Sequence, residues 1–477
     1  MAGEIEVDIC VIGGGAGGLV VAGTAASLRR PTLLVERAAF GGAALRDAVP
    51  AQAFIAAARA AEAARRAERF GVTLAAPEID FAKLQDHLQG AVADLAPHYS
   101  AARLAGLGCQ IIQAEGRFIG PARLAAGDSI VRARRFVVAT GARPVIPAIP
   151  GLADAPYFTE ETIVALRERP AHLLVLGGGA TGVALAQAFR RLGARVTLIE
   201  AATILGGEDE EAVVLLRRTL TREGVALVEG VQARAVAREG DGIALTVMRD
   251  GREERIAGSH LLLAAGRRPD LAGLELESAG VAFGPEGIRV DHRLRTTNRR
   301  IYAIGDAAAV PGQGQRSAHA AAHQARIVVR NAIFRLPARV DSSLVPRIVW
   351  SDPALASTGL GEAAARARYG AIRILRGSLA ESDRARIDQA PPGLVKAIAT
   401  RRGRLLGVTI LAPDAAELIQ PWLLAMARGL KLSALAGLVA PYPSYGELGV
   451  SVAGSFALRP RLIDQARIVA AWLARLG

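Results

Sequence analysis

Two stretches of this chain repeat one design. "VDICVIGGGAGGLVVAGTAASL" passes from a continuous apolar segment through Gly13, Gly15 and Gly18 into an alanine-rich helical pattern, and "PTLLVER" closes it with Glu36. "AHLLVLGGGATGVALAQAFRRLGARVTLIE" does the same with Gly177, Gly179, Gly182 and Glu200. Each reads as strand, tight turn, helix and second strand, with an acid about twenty residues past the turn. The first glycine permits the turn, the second lets the backbone approach a pyrophosphate, and the third lets the helix pack closely on the strand. The phosphates then face the positive end of the helix dipole while the carboxylate accepts hydrogen bonds from ribose hydroxyls. One glycine triplet alone is ordinary turn chemistry. Two copies, each with strand, helix and acid in place, predict two dinucleotide sites, and a carboxylate at 36 or 200 repels an adenosine 2′-phosphate, favouring NADH over NADPH.

Other segments extend this α/β reading. "RRFVVATGARPVIP", with Ala139, Thr140 and Gly141, and "HLLLAAGRRPDL", with Gly266, are apolar strands that run into turns at the edge of a nucleotide site. In "RRIYAIGDAAAVPG", Gly305 and Asp306 follow a buried strand and precede a small-residue helical start. A carboxylate there suits a polyol chain, and the helix N-terminus beyond it suits negative charge on a cofactor ring. From about residue 340, strands such as "RIVWSD" and "GLVKAIATRRGRLLGVTIL" mix with helices, as in a separate α+β domain. A chain of 477 residues exceeds one core. Boundaries are expected at 1–155, 156–275 and 276–338, with 339–477 as the last domain.

Composition excludes several classes. No apolar run reaches the ~18 residues of a spanning helix, and the acidic start "MAGEIEVDIC" lacks the pattern of a secretory leader. A cytoplasmic protein is expected. The net charge of +13 comes from scattered arginines with only 4% aromatics, unlike the clustered basic and aromatic surface of a nucleic-acid reader. The two cysteines, Cys10 and Cys109, each placed in a strand, form no paired motif and read as buried structural thiols. His319 and His323 lie one helical turn apart but lack the intervening glutamate of HExxH, so no metal site is expected.

The order of these motifs, from the first loop through ATG at 139–141, the second loop, AAGRRPD at 264–270, IGD at 304–306 and "SAHAAAHQA" at 317–325, resembles the pyridine nucleotide-disulfide oxidoreductases. The pattern is nearest to dihydrolipoamide dehydrogenase and mercuric reductase, and "IVWSDPALASTGLGEAAA" resembles the start of the family's dimerisation domain. The resemblance implies two Rossmann-like domains with a C-terminal α+β domain, and a homodimer. It implies FAD on the first loop with Glu36 and Asp306, NADH on the second with Glu200 and Gly266, and a cis Tyr442–Pro443 bond.

The resemblance breaks at one place. The family's GGTCxxxGCIPSK-like segment, which supplies a redox disulfide, reads "GGAALRDAVPAQ" here with one residue fewer. Anchored on Gly41, Gly42 and Pro50, the cysteine positions become Ala44 and Ala48, and a methyl group forms neither a thiolate nor a disulfide. The family's lysine matches Gln52 and its partner glutamate matches Ala184, a paired loss that strands no buried charge. The family's His-Pro-x-x-x-Glu reads Tyr442, Pro443, Ser444, Tyr445, Gly446, Glu447, and a phenol with a pKa of ~10 is a poor proton shuttle at neutral pH. The expected function is therefore NADH oxidation through FAD with direct delivery to an external acceptor, such as a quinone, a ferric or other metal species, a dye or dioxygen. Tyr442, Tyr445 and Glu447 would flank that acceptor. A flavin-binding regulatory pseudoenzyme and a reductase serving a partner protein are the alternatives. The terminal pattern Leu462, Ala466, Val469, Leu473 and Leu476 forms a helical stripe suited to packing on its own domain or to a membrane surface.

Overall fold

Strand β1 (Gly3–Ile12) ends in six consecutive buried residues, the signature of a parallel strand covered on both faces. It lies between β2 (Thr32–Glu36) and β3 (Ser129–Val138), parallel to both, with Val11 opposite Leu34 and Val137. Asp8, the charged residue in that run, is paired with Arg30 at 2.5 Å and with Arg134. Helix α1 (Ala16–Ser27) makes the crossover from β1 to β2. The structure is a computed structural model that describes residues 3–312, 316–457, 470 and 472–474.

The chain packs as two compact units, Met1–Ala201 with Leu227–Val345, and Ala202–Ala226 with Pro346–Gly477. In the first unit, α2 (Val49–Arg66) leads away from the first sheet. A second parallel sheet places β4 (His172–Leu176) between β5 (Arg195–Glu200) and β6 (His260–Leu263), with α3 (Ala180–Arg191) as the crossover. Phe54 of α2 meets Phe189 of α3 at 4.5 Å between ring centroids. The chain then returns to the first sheet through β7 (Ile301–Ala303), which pairs with β3, and through α4 (Ala318–Ala332), packed on α1.

The second unit is built on an antiparallel sheet. In spatial order it runs β8 (Arg347–Val349), β9 (Ala354–Gly359), β12 (Leu405–Ala412), β11 (Leu394–Thr400) and β10 (Ile372–Ser378). Its apolar face carries Val395, Ala397, Val408 and Ile410 into a core that also takes Trp422 and the helix α5 (Gly446–Gly454). Lys396 points the other way, nearly fully buried, and its Nζ reaches Asp209 and Glu211 at 2.7 Å and Glu362 at 3.2 Å. Asp209 also caps the helix Glu210–Arg222, accepting from the amides of Glu211 and Ala212. A buried ammonium with three carboxylates is the paired arrangement that burial of a charge demands.

Local differences from the sequence expectation have simple causes. The helical start expected after Asp306 is a single 3₁₀ turn, Gly305–Ala307, followed by the short strand Ala308–Ala309. Pro311 and Gly312 keep a helix from continuing, and α4 begins only where Ser317 caps it through the Ala320 amide. Cys109 lies just before the strand Gln110–Gln113 rather than within it. The Tyr442–Pro443 bond is cis. No helix among the described residues is long and apolar enough to cross a membrane. Of the C-terminal stripe, Leu462, Ala466, Val469 and Leu476 lie outside the described residues, and Leu473 is exposed.

Replacing Lys396 by Met leaves the nearly buried Asp209 without its cation, and stability is expected to fall by about 3 kcal/mol, measured by denaturant unfolding. Hydrogen bonding from Arg376, against burial and with help from Lys396, draws the Glu211 carboxyl down to about 2 from 4.5. Its contribution is therefore complete above about pH 4.5 and lost as pH falls towards 2.

Candidate functional site

The first turn is shaped by the absence of side chains. Gly13 has φ +108°, and a Cβ there would lie 2.4 Å from the Ala139 carbonyl oxygen. A Cβ on Gly18 would fall 1.9 Å from the Gly13 oxygen, so α1 can approach β1 only with glycine at that position. Gly15 is different, because a Cβ there would meet nothing within 4 Å. Its bareness serves space outside the protein, at the N-terminus of α1, where a phosphate would sit. Glu36 accepts from the Gly14 amide at 2.5 Å and from the Ala38 amide at 2.7 Å, which fixes its carboxylate at the end of β2.

The second turn repeats this construction. Gly177 has φ +116° and its Cβ would lie 2.3 Å from the Ala264 oxygen, a Cβ on Gly182 would lie 1.9 Å from the Gly177 oxygen, and Gly179 faces open space. Glu200 accepts from the Gly178 amide at 2.6 Å. Gly266, with φ +96°, turns the chain just past β6. The predicted residues of each loop are brought together as expected, in two separate places.

A continuous cavity runs along the first turn, walled by Gly13, Gly15, Glu36, Gly42, Ala139 and Asp306, among others. Thr140, Gly141 and Ala44 also line it, and Gly305 sits beside Asp306 with its amide donating to Gln324 at 2.7 Å. Ser317 and Ala318 bring the N-terminus of α4 into the wall, a contribution the sequence reading assigned to the residues after Asp306. Burial raises the Asp306 carboxyl, with Arg267 and Arg316 opposing. Thr140 Oγ1 is buried without a hydrogen-bond partner among the described residues, as expected of a hydroxyl that a ligand completes. Open glycine backbone, an anchored carboxylate, a helix terminus and an unpaired hydroxyl together fit a dinucleotide such as FAD.

Next to this cavity the chain forms a π-helical turn, Ala44–Ala48, that leads into α2. Ala44 is buried, Ala48 is exposed, and Gln52 is half-buried on α2, whereas Ala184 is buried on α3. Both cysteines are buried and free. Burial pushes the Cys109 thiol up to about 11 and the Cys10 thiol further.

Tyr442, Tyr445 and Glu447 belong to the second unit. Tyr442 is exposed and its hydroxyl donates to Asp383 at 3.2 Å, which raises its pKa. The Tyr445 hydroxyl donates to Asp388 at 2.9 Å, and burial followed by that bond holds its proton more firmly still. Glu447 accepts from the Ser444 amide at 3.0 Å, securing the turn before α5. His319 and His323 lie on α4, and no three potential metal ligands converge among the described residues.

Sequence reasoning missed one charged group of side chains. Arg267, the first arginine of the AAGRRPD motif, donates to Glu160 at 2.6 Å and Glu161 at 2.7 Å and lies 3.6 Å from Asp47. The adjacent arginine and glycine in the motif marked a turn, but nothing marked the acids, which come from distant segments.

A double dinucleotide fold with this cavity defines a flavin- and nicotinamide-dependent oxidoreductase. The chain belongs to the pyridine nucleotide-disulphide oxidoreductases, whose model matches residues 7–325 and whose dimerisation-domain model matches residues 345–453. It is similar to a mercuric reductase of Streptomyces lividans, 35% identical over 92% of this chain and 94% of the relative. A dihydrolipoyl dehydrogenase of Geobacillus stearothermophilus is 30% identical over 94% of this chain and 96% of its own. Among solved structures, LpdA from Mycobacterium tuberculosis matches with a TM-score of 0.85 and 30% identity, covering 94% of this chain and 99% of that one. The HOCl-induced flavoprotein disulfide reductase RclA from Escherichia coli matches with a TM-score of 0.82 and 26% identity, with the same coverage. FAD and NAD(H) are the cofactors, and the dimerisation domain supports a homodimer.

The two loops are separable by one substitution in the second. Gly182→Ala forces a Cβ to within 1.9 Å of the Gly177 oxygen. The purified variant is expected to keep its FAD while its affinity for NADH drops at least tenfold, as measured by FAD absorbance and NADH titration.

Proposed function

We propose that this protein oxidises NADH through FAD and passes the electrons directly to an external acceptor, without a protein disulfide. The observation that carries this reading is the Ala44–Ala48 turn beside the cavity, where methyl groups stand at the two positions matched to the family's cysteines. The existing cysteines do not replace that pair, since both thiols are buried and pushed away from the thiolate form. In this reading the first loop, with Glu36 and Asp306, holds FAD, and the second, with Glu200, holds NADH. The four segments 1–155, 156–275, 276–338 and 339–477 divide the work accordingly.

Bound FAD supplies the chemistry that accepts a hydride from NADH and releases electrons singly or in pairs. The protein's residues bind and orient. Glu36, fixed by two amides, takes the adenosine ribose, the N-termini of α1 and α4 face negative charge, and Asp306 takes the ribityl hydroxyls. On the acceptor side, Ala44, Ala48 and Gln52 leave room that sulfurs and a lysine would fill. Tyr442, 73% exposed, presents a flat ring that suits a planar acceptor such as a quinone across a dimer interface. Its hydroxyl and that of Tyr445 hold their protons, so these residues stack and donate hydrogen bonds rather than act as bases. The intact second loop supports turnover over a purely regulatory role.

Anaerobic titration tests the proposal. One equivalent of NADH is expected to bleach the flavin absorbance and a quinone to restore it, with the thiol count unchanged throughout. Reduction of lipoamide or glutathione disulfide at rates matching the quinone reaction would overturn it.

A further inference from the structure

The turn that carries Ala44 and Ala48 also carries an ionisable group without a task in the reading above. Asp47 is about three-quarters buried, and its Oδ2 lies 3.6 Å from Arg267 Nη1. That guanidinium is already engaged. Nη1 donates to Glu160 at 2.6 Å, and Nη2 donates to Glu161 at 2.7 Å and to the Ala142 carbonyl at 2.8 Å. One cation thus faces three carboxyl groups, and Asp306, in the cavity wall, acts on Asp47 as a fourth acid. Arg316 offsets charge at Asp306.

A single guanidinium in a largely buried place does not stabilise three carboxylates equally, so the least well bonded of them keeps its proton to higher pH than a free carboxyl does. The distances show which of the three acids on Arg267 that is. Glu160 and Glu161 accept direct hydrogen bonds from Arg267, whereas 3.6 Å leaves Asp47 outside bonding distance. Burial first, then the charges of Glu160, Glu161 and Asp306, push the Asp47 carboxyl up to about 6 against the pull of Arg267. Its side chain remains 24% exposed, which leaves a route for exchange with water.

We propose that Asp47 is the proton donor for reduction of the acceptor, held beside positions 44 and 48 by Arg267 and resupplied from solvent. The proposal rests on direct transfer to an external acceptor. Conversion of a quinone to a hydroquinone consumes two electrons and two protons, of which NADH supplies two electrons and one proton. The second proton leaves the Asp47 carboxyl as a new O–H bond forms on the quinone. The resulting carboxylate, facing Arg267, recovers a proton from water. Below about pH 6 the donor is loaded, and above it the loaded fraction falls with rising pH.

The test compares the wild-type holoenzyme with Asp47→Asn and Asp47→Glu, each labelled with carboxyl-¹³C aspartate and assayed in single turnover with a soluble benzoquinone. One wild-type resonance is expected to titrate near pH 6 and to vanish in Asp47→Asn. The quinone step should slow by roughly tenfold per unit above that pH in the wild type and by about 10²-fold in Asp47→Asn, whose profile is flat there. Asp47→Glu should restore a sloping profile, and FAD content should match in all three. An Asp47 resonance titrating in the ordinary carboxylate range, or an Asp47→Asn profile like that of the wild type, overturns the role of Asp47 while direct transfer stands. A wild-type protein that reduces lipoamide but no quinone overturns both.

Discussion

Everything else in the first unit depends on how closely a helix can approach the strand before it. At both turns the space between helix and strand is too small for a methyl group, with 1.9 Å left for a Cβ at Gly18 and at Gly182. That contact sets the helix axis, and the axis aims its N-terminus at the ligand. The carboxylates follow from the same geometry, since the amide one residue past the first glycine of each turn is what Glu36 and Glu200 hold. Because the two turns match within a tenth of an ångström at these contacts, their difference in role comes from their surroundings. The first faces Asp306, the N-terminus of α4 and the Ala44–Ala48 turn.

The proposed change of mechanism leaves this frame undisturbed. In that proposal the positions matched to the family's sulfurs, lysine, glutamate and histidine change as a set, to Ala44, Ala48, Gln52, Ala184 and Tyr442. Gly41 and Gly42 keep their positive φ angles, and Pro50 still opens α2. Neither matched position strands a charge, because Gln52 is neutral and the buried Ala184 carries no polar group. The same turn carries Asp47, whose carboxyl burial and the neighbouring acids push up against the pull of Arg267.

The fold was legible because its signals are local. A buried parallel strand announces itself as an apolar run, and a phosphate turn as glycines at fixed spacing, so both loops, Asp306 and the α+β character of the last segment could be read from the chain. The helix after Asp306 was misplaced because small residues suit a helix, a turn or a short strand equally. Only Pro311, Gly312 and the Ser317 cap decided among them. The segment 202–226 gave no sign of its packing with the sheet around Lys396, because the ion cluster joins acids and a lysine nearly two hundred residues apart.

The sequence by itself determined the family, the two dinucleotide loops and the presence of alanine at 44 and 48, since each rests on residue identity at short spacing. Tertiary structure decided which charges meet. Asp47 is an ordinary turn residue until Arg267, Glu160, Glu161 and Asp306 surround it. Its protonation is set by burial and by neighbours from three other parts of the chain, and such a sum exists only once the chain has folded.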